Sequence, residues 1–156
     1  MLLSDIWLKN NNNEIITPFE GKEVKKEGVP SYGLSSFGYD LRIEESVPAI
    51  VIPSKQFMLA SSKEYIKMPR DMMGFVYLKS TYSRLGLIAN TGVLEPEWEG
   101  NITFEIFNAS DKAVEIITGG GVFQLCLVIG DQPCFVSYKD KNGRYQCQKG
   151  ITEAIY

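Results

Sequence analysis

GLIANTGVLEPEWEGNITFEIFN, residues 86–108, holds two short apolar runs on either side of an acidic turn that contains Pro96 and Gly100. In its second half, strict alternation puts Thr103, Glu105 and Phe107 on one face and Ile102, Phe104 and Ile106 on the other. That is the period of a strand with one face in a core. The same texture continues in both directions. YDLRIEE (39–45), PAIVIP (48–53), FMLASS (57–62), EYIKMP (64–69), GFVYLK (74–79), GLIANTGVL (86–94), NITFEIFN (101–108), AVEIIT (113–118) and VFQLCLVIG (122–130) each read as one strand, with Gly, Pro, Asn and Asp between them. Their regular spacing predicts a mostly β fold, a sandwich or distorted barrel. STYSRLG (80–86) interrupts the series with a Ser start and a Gly stop, which predicts a short helix. A second short helix is predicted where Ser4 and Asp5 precede Ile6, Trp7 and Leu8, ending in the turn Asn10–Asn13. From Glu14 to Pro30 the text is charged and mixed, and predicts a surface connection with a short strand at Ile15 and Ile16. The polar, basic segment that begins at Lys139 predicts a mobile tail over 139–156.

At 156 residues, 44% hydrophobic, the chain has the size and apolar content of one folded domain, 1–156. No apolar run approaches the length of a transmembrane helix, and the opening MLLSDIWLKNNNN lacks a basic leader, so a cytoplasmic protein with no membrane partner is expected. A net charge of −3 argues against an extended nucleic-acid groove, which needs clustered cations. Histidine is absent, which excludes imidazole-based nucleophilic catalysis and histidine-ligated metals. Cys126, Cys134 and Cys147 contain no CxxC pair, so zinc is not expected, and buried thiols are.

Three constellations can carry chemistry. In KSTYSRLG, Ser80 and Arg84 at i and i+4 share a face; the amides of residues 80–83, the hydroxyls of Ser80 and Thr81, and the cations Lys79 and Arg84 would cradle a di- or triphosphate, unless this is an ordinary capped helix with a solvated Arg. Glu105 stands among apolar residues, either on a wet face or partly buried, and a buried carboxylate is poised to exchange protons with water. Of the acidic turn, Glu95 beside Leu94 is the candidate for an inward role; Glu97 and Glu99 read as solvated. In RYQCQKG, residues 144–150, Arg144, Tyr145, Gln148 and Lys149 could close over a nucleotide, or fray.

Taken in order, these segments resemble the dCTP deaminases of the trimeric dUTPase-like superfamily. The opening MLLSD, SSFGYDLRI (35–43), KSTYSRLGL (79–87), NTGVLEPEWEGNITFEIFN (90–108), FQLCL (123–127) and RYQCQKGIT (144–152) are similar to that family's successive motifs, across essentially the whole chain. The resemblance implies a dUTPase-like, jelly-roll-like distorted barrel and a homotrimer with sites shared between subunits. It also implies a hydrolytic deamination without a protein-bound metal, consistent with the missing histidine and CxxC pair. Glu105 matches the general acid/base that activates water at C4 of cytosine, with Ser80 and Arg84 supporting that water and the charge near it. Lys79, Thr81, Tyr82 and Ser83 match the phosphate loop, Glu95 the carboxylate against the deoxyribose, Thr91 a position at the pyrimidine edge, and Thr103 and Phe104 backbone positions at the base. Tyr138, Arg144 and Gln148 match tail residues that reach the triphosphate, which would carry Mg²⁺ itself. The chain departs from the pattern at Lys79 (Arg in the family), Glu95 (Asp), Glu97 (Gly) and Thr91 (a smaller residue). Gly92 stands where strictly monofunctional relatives often carry a bulkier residue, so a bifunctional deaminase-dUTPase that releases dUMP and pyrophosphate is the alternative. A nucleotide-binding regulatory trimer without turnover is the other.

Overall fold

The structure, a computed structural model, describes residues 1–12, 14–44 and 47–156. Ser4 caps helix α1 (Asp5–Asn11), its hydroxyl accepting from the Trp7 amide at 3.4 Å, and Asp5 sits in the first turn where the helix dipole favours an acid. Antiparallel strands then dominate, as the alternation predicts. One sheet contains β1 (Ile16–Thr17), β6 (Phe57–Lys67), β10 (Glu99–Asn108) and β8 (Leu87–Asn90), in that order. A larger sheet runs β2 (Glu23–Lys26), β3 (Val29–Ser35), β4 (Gly38–Arg42), β12 (Gly121–Ile129), β7 (Met72–Leu78), β9 (Val93–Leu94). A two-stranded sheet pairs β11 (Val114–Ile117) with β5 (Ala49–Ile52). The predicted mostly β, dUTPase-like architecture holds, although the sheets do not close into a barrel. No helix among the described residues is long and apolar enough to cross a membrane.

The core lies between the two large sheets, where Phe104 of β10 stacks on Phe123 of β12 with ring centroids 3.9 Å apart. Ile102, Phe104 and Ile106 are buried and Glu105 and Phe107 exposed, as the two-residue period requires. One charged pair shares the interior. Glu64 accepts the Arg42 amide at 2.9 Å and the Arg42 Nε at 2.7 Å, and the guanidinium lies 4.4 Å from the Tyr32 ring centroid. Burial pushes the Glu64 carboxyl up, and these two bonds work against that shift.

Several element boundaries differ from the sequence reading. FMLASS and EYIKMP are one strand, β6, not two. The break read after Ser62 lies inside that strand, where Ser62 is fully buried: its hydroxyl accepts the Ile102 amide at 2.7 Å and donates to the Glu64 carbonyl at 2.6 Å, replacing the ladder where β6 bulges opposite Ile102. Conversely, GLIANTGVL is two strands. Gly92, at φ +61, turns the chain so that β8 pairs with β10 while β9 crosses to β7. The charged connection before Pro30 contains a hairpin, β2 and the start of β3, turning at Gly28 with φ +71; its mostly exposed strand β2 carries no apolar face for a periodicity to reveal. The thiols are not uniformly buried. Cys126 and Cys134 are half-buried and Cys147 is exposed, because Cys126 falls on the less buried alternate of β12 and Cys147 on a tail turn beside Glu99. Asn13 of the predicted Asn turn and Glu45 of YDLRIEE lie outside the described residues.

Candidate active site

The outward face of β10 is the floor of a cavity of about 500 Å³. Thr103 and Glu105 rise from that floor; Thr91 and Gly92, between β8 and β9, and Val93 at the start of β9 form one wall. Glu95 and Trp98 from the following turn, together with Tyr138, Tyr145 and Gln148 from the C-terminal segment, form the other. Of the residues read as site candidates, the fold thus brings together Glu105, Thr91, Glu95, Thr103, Tyr138 and Gln148.

Local bonds orient these groups. The Asn90 side-chain amide donates to Glu105 at 3.5 Å from the neighbouring strand, and the Thr91 hydroxyl is turned back onto the Val76 carbonyl at 2.9 Å. Glu95 accepts from the Lys141 ammonium at 3.1 Å. Gln148 lies alongside Gly100, donating its side-chain amide to the Asn101 carbonyl at 2.6 Å, and the Trp98 indole N–H donates to the Tyr145 carbonyl at 2.9 Å. Farther along the tail, the Thr152 amide donates to the Thr103 hydroxyl at 3.1 Å, and Arg144 reaches the Ile155 carbonyl at 3.3 Å rather than the cavity. In this arrangement the segment after Lys139 packs along β10.

The phosphate-type motif is elsewhere. Helix α2 (Ser80–Ser83) begins after Lys79 and runs into a turn that ends at Gly86, at φ +92. Ser80, Thr81, Ser83 and Arg84 are exposed, and the Arg84 amide bonded to the Ser80 carbonyl at 3.0 Å confirms their shared face, but none of them lines the cavity. The cradle has fewer free donors than the sequence suggests, because the amides of Tyr82 and Ser83 both donate to the Lys79 carbonyl. The Tyr82 ring is buried, its hydroxyl accepting the Ile117 amide at 3.2 Å, and burial pushes the phenol up. Phe104 likewise points into the core. Lys79 bonds the Ser31 carbonyl at 2.7 Å and Asp40 at 2.5 Å; burial pushes the Asp40 carboxyl up while Lys79 pulls it back.

The cavity's chemistry is therefore one-sided. Glu95, Glu105 and Glu153 line it and, among the described residues, no lysine or arginine does, although Lys141 reaches Glu95 from outside the lining. Among the described residues, no group of three or more His, Cys, Asp or Glu side chains is placed to hold a metal ion. The sequence reading missed Phe57, Leu59, Trp98, Thr152 and Glu153 of the lining. Phe57 and Leu59 could have been suspected, since β6 is apolar at 57, 58, 59 and 60, on both faces at once.

A profile of dCTP deaminase-like proteins matches residues 40–129. The chain belongs to that family. It is 42% identical to the dCTP deaminase of Nautilia profundicola over 96% of this chain and 95% of that one, and 38% identical to the dCTP deaminase of Acidobacterium capsulatum over 95% of each. The dCTP deaminase of Helicobacter hepaticus is 39% identical over 97% of this chain and 96% of its own. Among solved structures, EIAV dUTPase covers 72% of this chain and 85% of its own with a TM-score of 0.54 at 23% identity. The dUTPase of Staphylococcus bacteriophage 80alpha bound to dUPNHPP covers 73% and 79% with a TM-score of 0.55 at 16% identity. These two establish a shared fold. Within the dCTP deaminase-like family, the stretch that decides the strand pattern, residues 86–108, falls inside the matched region, as do β10 and α2.

Proposed function

We propose that this protein deaminates dCTP to dUTP and ammonia, with each site built from two copies of the chain. The observation that carries the assembly is the cavity's charge: three carboxylates and no cation line a pocket of nucleotide size, while Ser80, Thr81, Ser83 and Arg84 stand exposed on α2 outside it. A triphosphate cannot be held by carboxylates alone. The face beside Glu105 supports the same reading. Phe57, Phe107 and Ile88, directly opposite one another across β6, β10 and β8, leave an apolar row exposed, and a neighbouring copy that covers it would bring its own α2 toward Glu105. A homotrimer, as the family resemblance implies, closes such contacts in a ring.

In the chemistry, the Glu105 carboxylate takes a proton from water as the oxygen attacks C4 of the cytosine, giving a tetrahedral carbon. Glu105 delivers that proton to N3 and then carries the proton of the new C4 hydroxyl to the exocyclic nitrogen; the C4–N bond breaks, and ammonia leaves a C4 carbonyl with N3 protonated. Asn90 holds Glu105 from the side, and Ser80 and Arg84 of the neighbouring copy stabilise the water and the developing charge. Glu95 meets the sugar 3′-hydroxyl, Thr91 the pyrimidine edge, the backbone of Thr103 and Phe104 the base, and Tyr138, Arg144 and Gln148 the triphosphate end. Mg²⁺ enters as part of the substrate, on the phosphates.

The test is incubation of the purified protein with dCTP and Mg²⁺, followed by nucleotide separation and an ammonia assay. Stoichiometric dUTP and ammonia is the expected result. Accumulation of dUMP and pyrophosphate would instead establish the bifunctional activity, and binding without product a regulatory role.

A further inference from the structure

We infer that Arg70 is a positioning residue for this pocket: one guanidinium clamps together the two chain segments that form the rim on the Glu95 side. The inference rests on the nucleotide reading of the pocket, and nothing in the sequence motifs points to Arg70.

Arg70 lies in the turn between β6 and β7 and does not itself line the cavity. Its Nη1 donates to Glu97 at 2.5 Å, its Nη2 to Asp140 at 2.6 Å and to the Phe135 carbonyl at 2.9 Å, and its Nε to the Cys134 carbonyl at 3.1 Å. Glu97 stands between Glu95 and Trp98, both of which line the pocket. Its φ is +60, a left-handed conformation that penalises any residue with a Cβ, at the position where the family resemblance has Gly. A strained turn keeps its shape only when its surroundings hold it, and here the Arg70 ion pair does so.

On the other side, Asp140 also accepts the Ser137 amide at 3.0 Å, and its own amide donates to the Ser137 hydroxyl at 3.2 Å. That local turn carries Tyr138, whose ring faces the pocket and whose amide donates to the Pro96 carbonyl at 2.9 Å, and Lys141, which reaches Glu95. Arg70 therefore fixes the carboxylate proposed for the sugar and the tyrosine beside it through one rigid, planar group. A lysine, with a single point charge, cannot reach four acceptors in that geometry. The pairs are partly solvated, with Arg70 38% and Asp140 41% exposed, so their weight falls on geometry more than on global stability.

The experiment uses Arg70→Ala and Arg70→Lys in the full chain, with steady-state deamination of dCTP in Mg²⁺ and amide hydrogen exchange. Both variants should raise KM for dCTP about tenfold while kcat stays within about threefold, because the rim binds the sugar and Glu105 does the chemistry. Exchange at the Tyr138 and Trp98 amides should accelerate, with the amides of β10 unchanged. In a Glu97→Gly background, where the turn needs no clamp, Arg70→Ala should raise KM by less than about threefold. KM unchanged in both variants, or kcat falling with KM constant, would overturn the inference. If the wild-type protein produced no dUTP, the functional reading would fail by itself, and the exchange of the Tyr138 and Trp98 amides in Arg70→Ala would still decide whether the clamp exists.

Discussion

The pocket on β10 and the shoulder formed by α2 are opposites in composition. The pocket offers carboxylates, aromatic rings and threonine hydroxyls, with a single cation, Lys141, reaching Glu95 at its rim among the described residues, whereas the shoulder offers exposed hydroxyls and Arg84 without a cavity. Neither is a nucleotide site alone. Separating them has a physical advantage: acids that handle protons at a base and cations that hold phosphates would neutralise one another if packed side by side, as Lys79 and Asp40 do at the root of α2. In the proposed assembly such groups would come near each other only with the polar ligand between them.

The comparison can be broken most decisively at Glu105. Glu105→Gln keeps shape and hydrogen bonding but cannot take a proton, and should lower kcat by about 10³-fold while dCTP binding, read by calorimetry, persists. Retained turnover would remove the pocket from the chemistry. Arg84→Ala should cost about 10²-fold in turnover from the other half. Mixing the Glu105→Gln and Arg84→Ala proteins under subunit exchange should then restore activity, since some interfaces pair an intact pocket with an intact shoulder. A mixture as inactive as its components would place both halves within one chain.

Lys79→Ala sharpens the comparison at lower cost. It leaves Asp40, only 13% exposed, without its cation, and should destabilise the fold by about 1–3 kcal/mol in denaturant titration at neutral pH. Burial already makes Asp40 hold its proton to higher pH folded than unfolded, so folding takes up a proton there. The variant should accordingly recover stability as pH falls through the raised Asp40 value, by a measurable reduction of its deficit. The smallest effect is expected from Glu97→Gly. Relief of a left-handed backbone offsets loss of the Arg70 pair, and the melting free energy should change by no more than about 1 kcal/mol.

Strand identity was legible where one face is buried. β10 reads correctly residue by residue because Ile102, Phe104 and Ile106 face the core and the alternate positions do not. It was misread where polarity lies inside. The break read between Ser62 and Glu64 is a bulge within one strand, and the hairpin at Gly28 has almost nothing to bury. The same holds for the pocket. Glu105, Thr91, Glu95, Thr103, Tyr138 and Gln148 stand in recognisable motifs and line one cavity, whereas Arg70, in a plain Met-Pro-Arg-Asp turn, carries no local sign of its four acceptors.

By itself, then, the chain's order of residues determined the β architecture, the short helix at STYSRLG, the absence of histidine chemistry and the family to which the motifs belong. Those properties are local periods and residue inventories, which exist in one dimension. The tertiary structure alone decided that Arg84 stands outside the cavity that Glu105 lines, that Tyr82 and Phe104 turn inward, and that Arg70 joins residues 97, 134, 135 and 140. Such facts depend on which distant segments pack together, and packing is settled by the whole core rather than by any stretch of it.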